Sequence, residues 1–333
     1  TLLPYTTLFR SEFRAAGSDV ELPQLDRKIT PLKLDHLLKR QIKTINPHLV
    51  HVQYIAPGAL PIIAARLAGV KHIFATVHQP YTKSHGRPAK LILRIASLFT
   101  TRFIAVSQSA ELSWFGSSHL FDENIHSRRQ HRHFTIHNSI DVELIQKTIE
   151  AVNVKELKKK LSIQENIPVI GAISRLRHEK GIDVLIEAFN NLAREGTEAH
   201  LLILGSGPDE NLLRKRVEDY GLGLKVIFYG EAEWGRAMQL MAIMDIVVVP
   251  SRFEGFGLTA AEAMAGGKPV AASDSTGLKE VINDGESGIL FPVDDVSALT
   301  RALQKLIMDP DLRQRFGTRS EERRVGKECS LPC

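Results

Sequence analysis

Two carboxylates eight positions apart, Glu254 and Glu262, flank the stretch Gly255-Phe256-Gly257-Leu258-Thr259-Ala260-Ala261. The two glycines around an aromatic residue read as a turn, and the small residues after them read as the start of a helix. A helix N-terminus presents amide groups that lack intrahelical partners, together with the positive end of the helix dipole. That setting favours phosphate. At about 1.5 Å rise per residue, the two carboxylates stand at most ~12 Å apart. Such a separation suits the two ends of a nucleotide-sugar, with hexose hydroxyls at one carboxylate, ribose hydroxyls at the other and a diphosphate between. The plainer alternative makes Glu254 and Glu262 a helix cap and a solvated helix face.

A second cluster lies upstream in Ser174-Arg175-Leu176-Arg177-His178-Glu179-Lys180-Gly181, after the apolar run Ile170–Ile173. Arg175 offers a planar fork and Lys180 a mobile point charge, and both can reach a pyrophosphate from a loop. A solvated basic turn explains this loop equally well on its own. The chain has no convincing Asp-x-Asp pair, which fits cations of the protein standing in place of a divalent ion. No metal residues are expected.

Holding such loops requires strands that end where they begin, and the hydropathy pattern supplies them. Expected strands are His48–Gln53, Lys71–Val77, Arg102–Val106, Phe134–His137, Pro168–Ile173, His200–Leu204, Lys225–Tyr229, Ile246–Val249, Pro269–Ala272 and Gly288–Leu290. Expected helices between them include Leu32–Ile45, Ala59–Leu67, Ala89–Phe99, Gly181–Arg194, Leu258–Ala265, Leu278–Asn283 and Val296–Met308. The alternation argues for an α/β protein with parallel, doubly wound sheets. Ligands of these sheets sit beyond the carboxyl ends of the strands, where Arg175, Gly205, Gly230, Glu231 and Glu254 all fall.

Composition sets outer bounds. Hydrophobic residues make up 43% of the 333 residues and charged residues 24%, as in a globular chain of two domains. A net charge of +5 and a pI near 9.1 suit acidic partners, namely a nucleotide donor and an anionic membrane surface. No basic stripe interleaved with aromatics points to nucleic acid. Both cysteines, Cys329 and Cys333, lie in the last few residues, so no disulfide or metal framework is expected.

The two loops, with several glycine motifs, resemble the family-4 retaining glycosyltransferases of the GT-B fold. The resemblance rests on Ser174-Arg175…Lys180-Gly181, Leu204-Gly205-Ser206-Gly207-Pro208, Pro250 to Leu258 with Glu262 to Val270, and Gly277-Leu278-Lys279-Glu280-Val281-Ile282 with Gly285 and Gly288. It is dense over the second half and loose over the first. It implies two Rossmann-like domains facing across a cleft, the first incomplete. Residues 12–141 would be the acceptor-side domain and 142–318 the donor-binding domain. By that resemblance Arg175 and Lys180 hold the donor diphosphate, and Phe256, Gly257 and Leu258 approach phosphate and sugar through their backbone. Glu254 binds the transferred sugar and Glu262 the ribose. The Thr-x-His at Thr76–His78 places His78 against the donor sugar, where it steadies developing positive charge. Retaining enzymes of this kind use no protein nucleophile; the leaving phosphate stays on the attacked face and helps deprotonate the acceptor. The expected partners are a nucleotide-diphosphate sugar and a glycan or lipid-linked acceptor of bacterial surface polysaccharide synthesis. The expected place is the cytoplasm, with peripheral contact at the inner membrane face.

Some features depart from the family. Residues 1–11 and 319–333 resemble translated adapter sequence, so the natural protein is expected over roughly Glu12–Thr318 and cut at both ends, without the first strand and its glycine loop. Ser139 stands in Asn138-Ser139-Ile140-Asp141 where relatives carry glycine, which implies either an altered turn or some backbone strain. Lys83, His85 and Arg87, and the segment Leu22–Pro31, are candidates for the acceptor side. The His- and Arg-rich stretch Asp122–His133 reads as a surface loop, with metal binding as the minor alternative. Two further readings stay open: a non-catalytic nucleotide-sugar-binding fragment, and a sugar-nucleotide epimerase of the same fold.

Overall fold

The computed structural model describes residues 14, 16–19, 29–53, 59–82, 85–122 and 131–318. The expectations for residues 1–11, 319–333, Lys83, most of Leu22–Pro31 and the side chain of Arg87 lie outside the described residues. In the first half, β1 (Leu49–Gln53), β2 (His72–Val77), β3 (Arg102–Ala105) and β4 (His133–Thr135) form a parallel sheet in that order. The helix α1 (Pro31–Ile45) precedes β1, and α2 (Ala59–Leu67), α3 (Arg87–Ser97) and α4 (Gln108–Phe115) make the crossovers. Each parallel connection needs such a crossover to return the chain to the same end of the sheet.

The second half begins with α5 (Val142–Glu150) and α6 (Val154–Lys160) and continues through β5 (Val169–Ile173), α7 (Ile182–Arg194), β6 (His200–Leu204), α8 (Glu210–Asp219) and β7 (Val226–Gly230). It closes with α9 (Trp234–Ala242), β8 (Ile246–Val249), α10 (Leu258–Ala265), β9 (Val270–Ser273), α11 (Leu278–Val281), β10 (Gly288–Phe291) and α12 (Val296–Met308). These six strands are parallel in the order β10-β9-β8-β5-β6-β7. All residues of β6 and β8 are buried, as expected of strands covered on both faces. Leu185, Phe189, Ile203, Leu303 and Phe316 fill the core on one face, and Ile145, Met241, Val247 and Met264 fill it on the other. From β5 the chain winds outward to β6 and β7, and from β8 it winds the other way to β9 and β10. The crevice between β5 and β8 is therefore the topological switch point, where such sheets bind ligands.

Differences from the expected boundaries have local causes. β4 stops short of His137, whose imidazole turns out of the sheet to meet Glu280. α3 starts earlier than expected because Pro88 fits the first turn. α11 ends at Val281, since Ile282 takes extended backbone with φ −107° and ψ 130°. A helical stretch over 310–318 was not expected; Leu312 and Phe316, four apart, are buried in the core on its inner side. Ser139 has no positive φ: among non-glycine described residues, only Asn46, Ser162 and Asp294 do. The turn is altered and serine bears no strain. Beside the His-rich loop, buried Glu111 accepts from Thr135 Oγ1 at 2.6 Å, from the His119 amide at 3.0 Å and pairs with His133 Nδ1 at 2.6 Å.

Candidate active site

The loop that leaves β5 folds back over the end of β8. Its amide of Leu176 donates to Ser206 O at 2.8 Å, and a short 3-10 turn over His178–Lys180 brings the chain to Gly181, with φ +64°. A Cβ at Gly181 would stand 2.0 Å from Pro250 O, so only glycine lets the two loops lie this close. The approach sets Lys180 Nζ 2.7 Å from Glu254 Oε2, which Ser251 Oγ also reaches at 3.2 Å. Glu254 is fixed by its backbone as well. Its carbonyl accepts from Thr276 Oγ1 at 2.6 Å and from the Gly277 amide at 3.1 Å.

Arg252 organises both loops, a role not read from the sequence. It donates to the two carboxylate oxygens of Asp183 at 2.9 and 2.8 Å, pairs through Nε with Asp294 at 2.8 Å and also donates to His178 O. Its amide donates to Glu179 O at 2.9 Å. Burial alone would raise the Asp183 carboxyl, but the hydrogen bonds and charge of Arg252 hold it below its ordinary value. Arg252 lay inside a quoted motif, and only the fold shows its partners.

Arg175 is half-buried, and among the described residues its guanidinium makes no hydrogen bond or ion pair. Its loop is buttressed by the ends of β6 and β7. A Cβ on Gly205 would stand 1.9 Å from Ser174 O, the Gly205 amide donates to Gly230 O at 2.7 Å, and Ser206 Oγ donates to Glu231. Gly205, Gly230 and Glu231 thus stand one and two strands outward from the crevice. Across the crevice, α10 starts at Gly257 with φ +98° and no side chain caps it. Phe256 and Leu258 flank that start. Thr259, expected to contact donor, donates its hydroxyl to Ile173 O at 3.3 Å and so ties α10 to the end of β5. Glu262, further along α10, accepts from Trp234 Nε1 at 2.9 Å; burial pushes its carboxyl up in spite of that bond. Trp234 is a second residue that sequence reasoning missed.

The first sheet meets this site at Gly255. A Cβ there would stand 1.9 Å from His78 O, so the Glu254–Gly257 loop touches the chain just beyond β2. His78 Nε2 donates to Gln53 Oε1 at 2.8 Å, which makes Nδ1 the acceptor nitrogen. Burial, and then the neighbouring His51, lower the His78 pKa, so the ring is neutral at pH ~7. Phe256 lies 5.7 Å from the His137 ring. Glu280 accepts from His137 Nε2 at 3.0 Å and from the amides of Gln108 and Ser109 at 2.9 and 2.7 Å, joining both halves. Burial would raise its carboxyl, but the His137 and Ser109 bonds bring it down to about 2. His85 is bonded within its own turn to Thr82 and set against the Tyr81 and Trp114 rings. A cavity of about 360 Å³ lined by Ile289, Phe291, Arg301 and Phe316 lies apart from these groups, behind β10.

The structure thus pairs Lys180 with Glu254 and sets Gly255 against the backbone of His78, with Arg175 on the loop leaving β5 and the start of α10 tied to the end of that strand. The sequence pattern of the glycosyl transferases group 1 family matches residues 153–323, and that of glycosyltransferase family 4 matches residues 9–113. This chain belongs to the glycosyl transferases group 1 family. Among curated relatives, N-acetyl-α-D-glucosaminyl L-malate synthase of Bacillus anthracis is 28% identical over 83% of this chain and 70% of its own length. The α-D-kanosaminyltransferase of Streptomyces kanamyceticus is 31% identical over 48% of this chain. A lipopolysaccharide core mannosyltransferase of Rhizobium meliloti is 33% identical over 46% of this chain. The matches span 42% and 45% of these last two proteins. Among solved structures, Anabaena HepE in complex with UDP-glucose superposes with a TM-score of 0.75 at 21% identity, over 95% of this chain and 83% of that one. Sucrose-phosphate synthase from Thermosynechococcus elongatus gives 0.73 at 22% identity, over 92% and 76%. At these identities the likeness establishes the shared two-sheet GT-B fold.

Proposed function

We propose that this chain is the core of a retaining, metal-independent glycosyltransferase. It moves a sugar from a nucleotide-diphosphate donor to a glycan or lipid-linked acceptor of bacterial surface polysaccharide, working at the inner face of the cell membrane. The observation that carries this reading is the convergence of Arg175, Lys180, Glu254 and the uncapped start of α10 on the switch-point crevice. Names of relatives that build lipopolysaccharide core, and a neighbour bound to UDP-glucose, support the donor class and the pathway.

In this reading the diphosphate draws Lys180 from Glu254 while sugar hydroxyls donate to Glu254 in its place. Neither charge is then left unpaired. Arg175 and the α10 amides take the remaining phosphate oxygens, where negative charge grows as the sugar–phosphate bond breaks. The acceptor oxygen bonds to the anomeric carbon on the face the phosphate leaves, and its proton passes to the departing phosphate oxygen. Neutral His78 lines the sugar side of the crevice. Incubation with a panel of nucleotide-sugars and acceptors tests the proposal. It expects transfer with the donor's anomeric configuration retained and full rate in chelator; inverted product or strict metal dependence would reject the corresponding part.

A further inference from the structure

The net positive charge of this chain comes from one stretch. Of its 43 Lys and Arg, ten fall in residues 36–110, where no Asp or Glu occurs, and the remainder carries 33 against 38 acidic residues. That stretch builds the helices of the first sheet, and α3 among them has two apolar sides. At about 100° per residue, Ala89, Leu93 and Ala96 share one direction, and Leu93 and Ala96 are buried in the core. Leu91, Ile92 and Ile95 fall on the other side and are exposed, with Leu98 and Phe99 exposed directly after the helix. Leu91 is 62% exposed and Leu98 61%. Single exposed apolar groups are ordinary, but five along one helix and its end form a patch that asks for a cover.

Cations frame that patch. Arg94 donates to Trp114 O at 2.8 Å along one edge of α3, and Lys90 lies 5.5 Å from the Tyr81 ring centre. At the far end Arg66 donates to Phe99 O at 2.7 Å and Arg132 to Leu98 O at 2.8 Å. A second copy of the chain would bring the same acid-free stretch against itself, and like charge opposes that contact. A bilayer rich in anionic lipid offers hydrocarbon and negative charge together. No described helix is long and apolar enough to cross a membrane, so such contact lies in the interface.

We infer that the face of α3 made by Leu91, Ile92, Ile95, Leu98 and Phe99 docks on the surface of an anionic bilayer. The inference deepens the membrane-facing part of the proposed function and rests on it. Residues 79–86 alone separate His78 from the start of α3, so the docked helix is joined by a short link to the chain that meets the Glu254–Gly257 loop.

The test is sedimentation of the full chain with phosphatidylcholine vesicles and with vesicles containing phosphatidylglycerol, at low and high salt. Binding is expected to be about tenfold tighter to the anionic vesicles and to fall at high salt. The variant Leu91→Ser/Ile95→Ser/Leu98→Ser should bind about tenfold more weakly, with unchanged thermal midpoint and nucleoside-diphosphate affinity. Should that variant misfold, Leu91→Ser alone should weaken binding about threefold. Absence of sedimentation, or equal binding by variant and wild type, would overturn the inference. So would a wild-type dimer that the variant dissolves without any vesicle binding. No sugar donor is present in the assay, so failed sedimentation leaves the donor site standing, and failed sugar transfer leaves the docking face standing.

Discussion

Glu262 offers a substitution whose cost can be worked from its contacts. One carboxylate oxygen accepts from Trp234 Nε1 at 2.9 Å, and the group is buried enough to raise its pKa. The proposed ribose contact uses the other oxygen. A hydrogen bond to a charged group contributes about 1.5–3 kcal/mol, and a neutral one about 0.5–1.5. Glu262→Gln keeps an amide oxygen for Trp234 but removes the charge and turns an amide NH2 donor toward the ribose. The expected loss is about 2–3 kcal/mol, or roughly 30- to 150-fold in nucleoside-diphosphate affinity. Glu262→Ala also strands the Trp234 N–H and should cost about 1–3 kcal/mol of fold stability in addition. Calorimetric titration with nucleoside diphosphate and with inorganic pyrophosphate reads the first effect, and thermal melting reads the second. Pyrophosphate affinity should stay unchanged. The raised pKa adds a pH signature. Protonation relieves the burial cost and favours the fold, so Glu262 costs stability most at neutral pH and above, and less as pH falls through its raised pKa. Donor affinity moves the other way, falling as the pH drops through the raised carboxyl value, whereas the Gln variant should stay flat. Unchanged affinity in Glu262→Gln, or an equal loss for pyrophosphate, would refute the ribose assignment.

Gly255→Ala places a Cβ 1.9 Å from His78 O, so the loop must withdraw by more than 1 Å, roughly the shortfall from van der Waals contact. Turnover should drop at least ~10-fold, a normal rate being the contrary result. Glu280→Gln loses the charge that gathers His137, Gln108 and Ser109, and should cost about 2–3 kcal/mol in urea unfolding at neutral pH. Because the folded carboxyl is lowered to about 2, that stability is fully present above the unfolded carboxyl value and is lost as pH falls through about 2. Equal urea midpoints at neutral pH would contradict the clasp. Arg252→Lys gives up the fork to Asp183 and should lower turnover more than thermal stability; the reverse ranking would make Arg252 a fold residue only.

The parallel strands were legible because buried runs such as Ile246–Val249 admit few other readings, and the loop glycines marked where chain meets chain. The ion pair of Lys180 with Glu254 was not legible as a pair, since the two lie far apart in sequence and meet only because β5 and β8 are neighbours. Arg252, Trp234 and Glu280 escaped for the same reason. Each acts on a partner brought near by tertiary packing, and each alone reads as an ordinary polar or aromatic residue. Thr259 shows a contact of the same kind. Its place at a helix start suggested a ligand contact, and the fold adds a hydroxyl bond to Ile173 O that ties α10 to β5.

The central claim is that Arg175 and Lys180 hold a diphosphate at the switch point. Titration of Arg175→Ala/Lys180→Ala with nucleoside diphosphate, and with the parent nucleoside, measures this most directly. Two charge-assisted contacts at about 1.5–3 kcal/mol each predict a loss of at least ~100-fold for the diphosphate and none for the nucleoside. Diphosphate affinity equal to wild type would contradict the account.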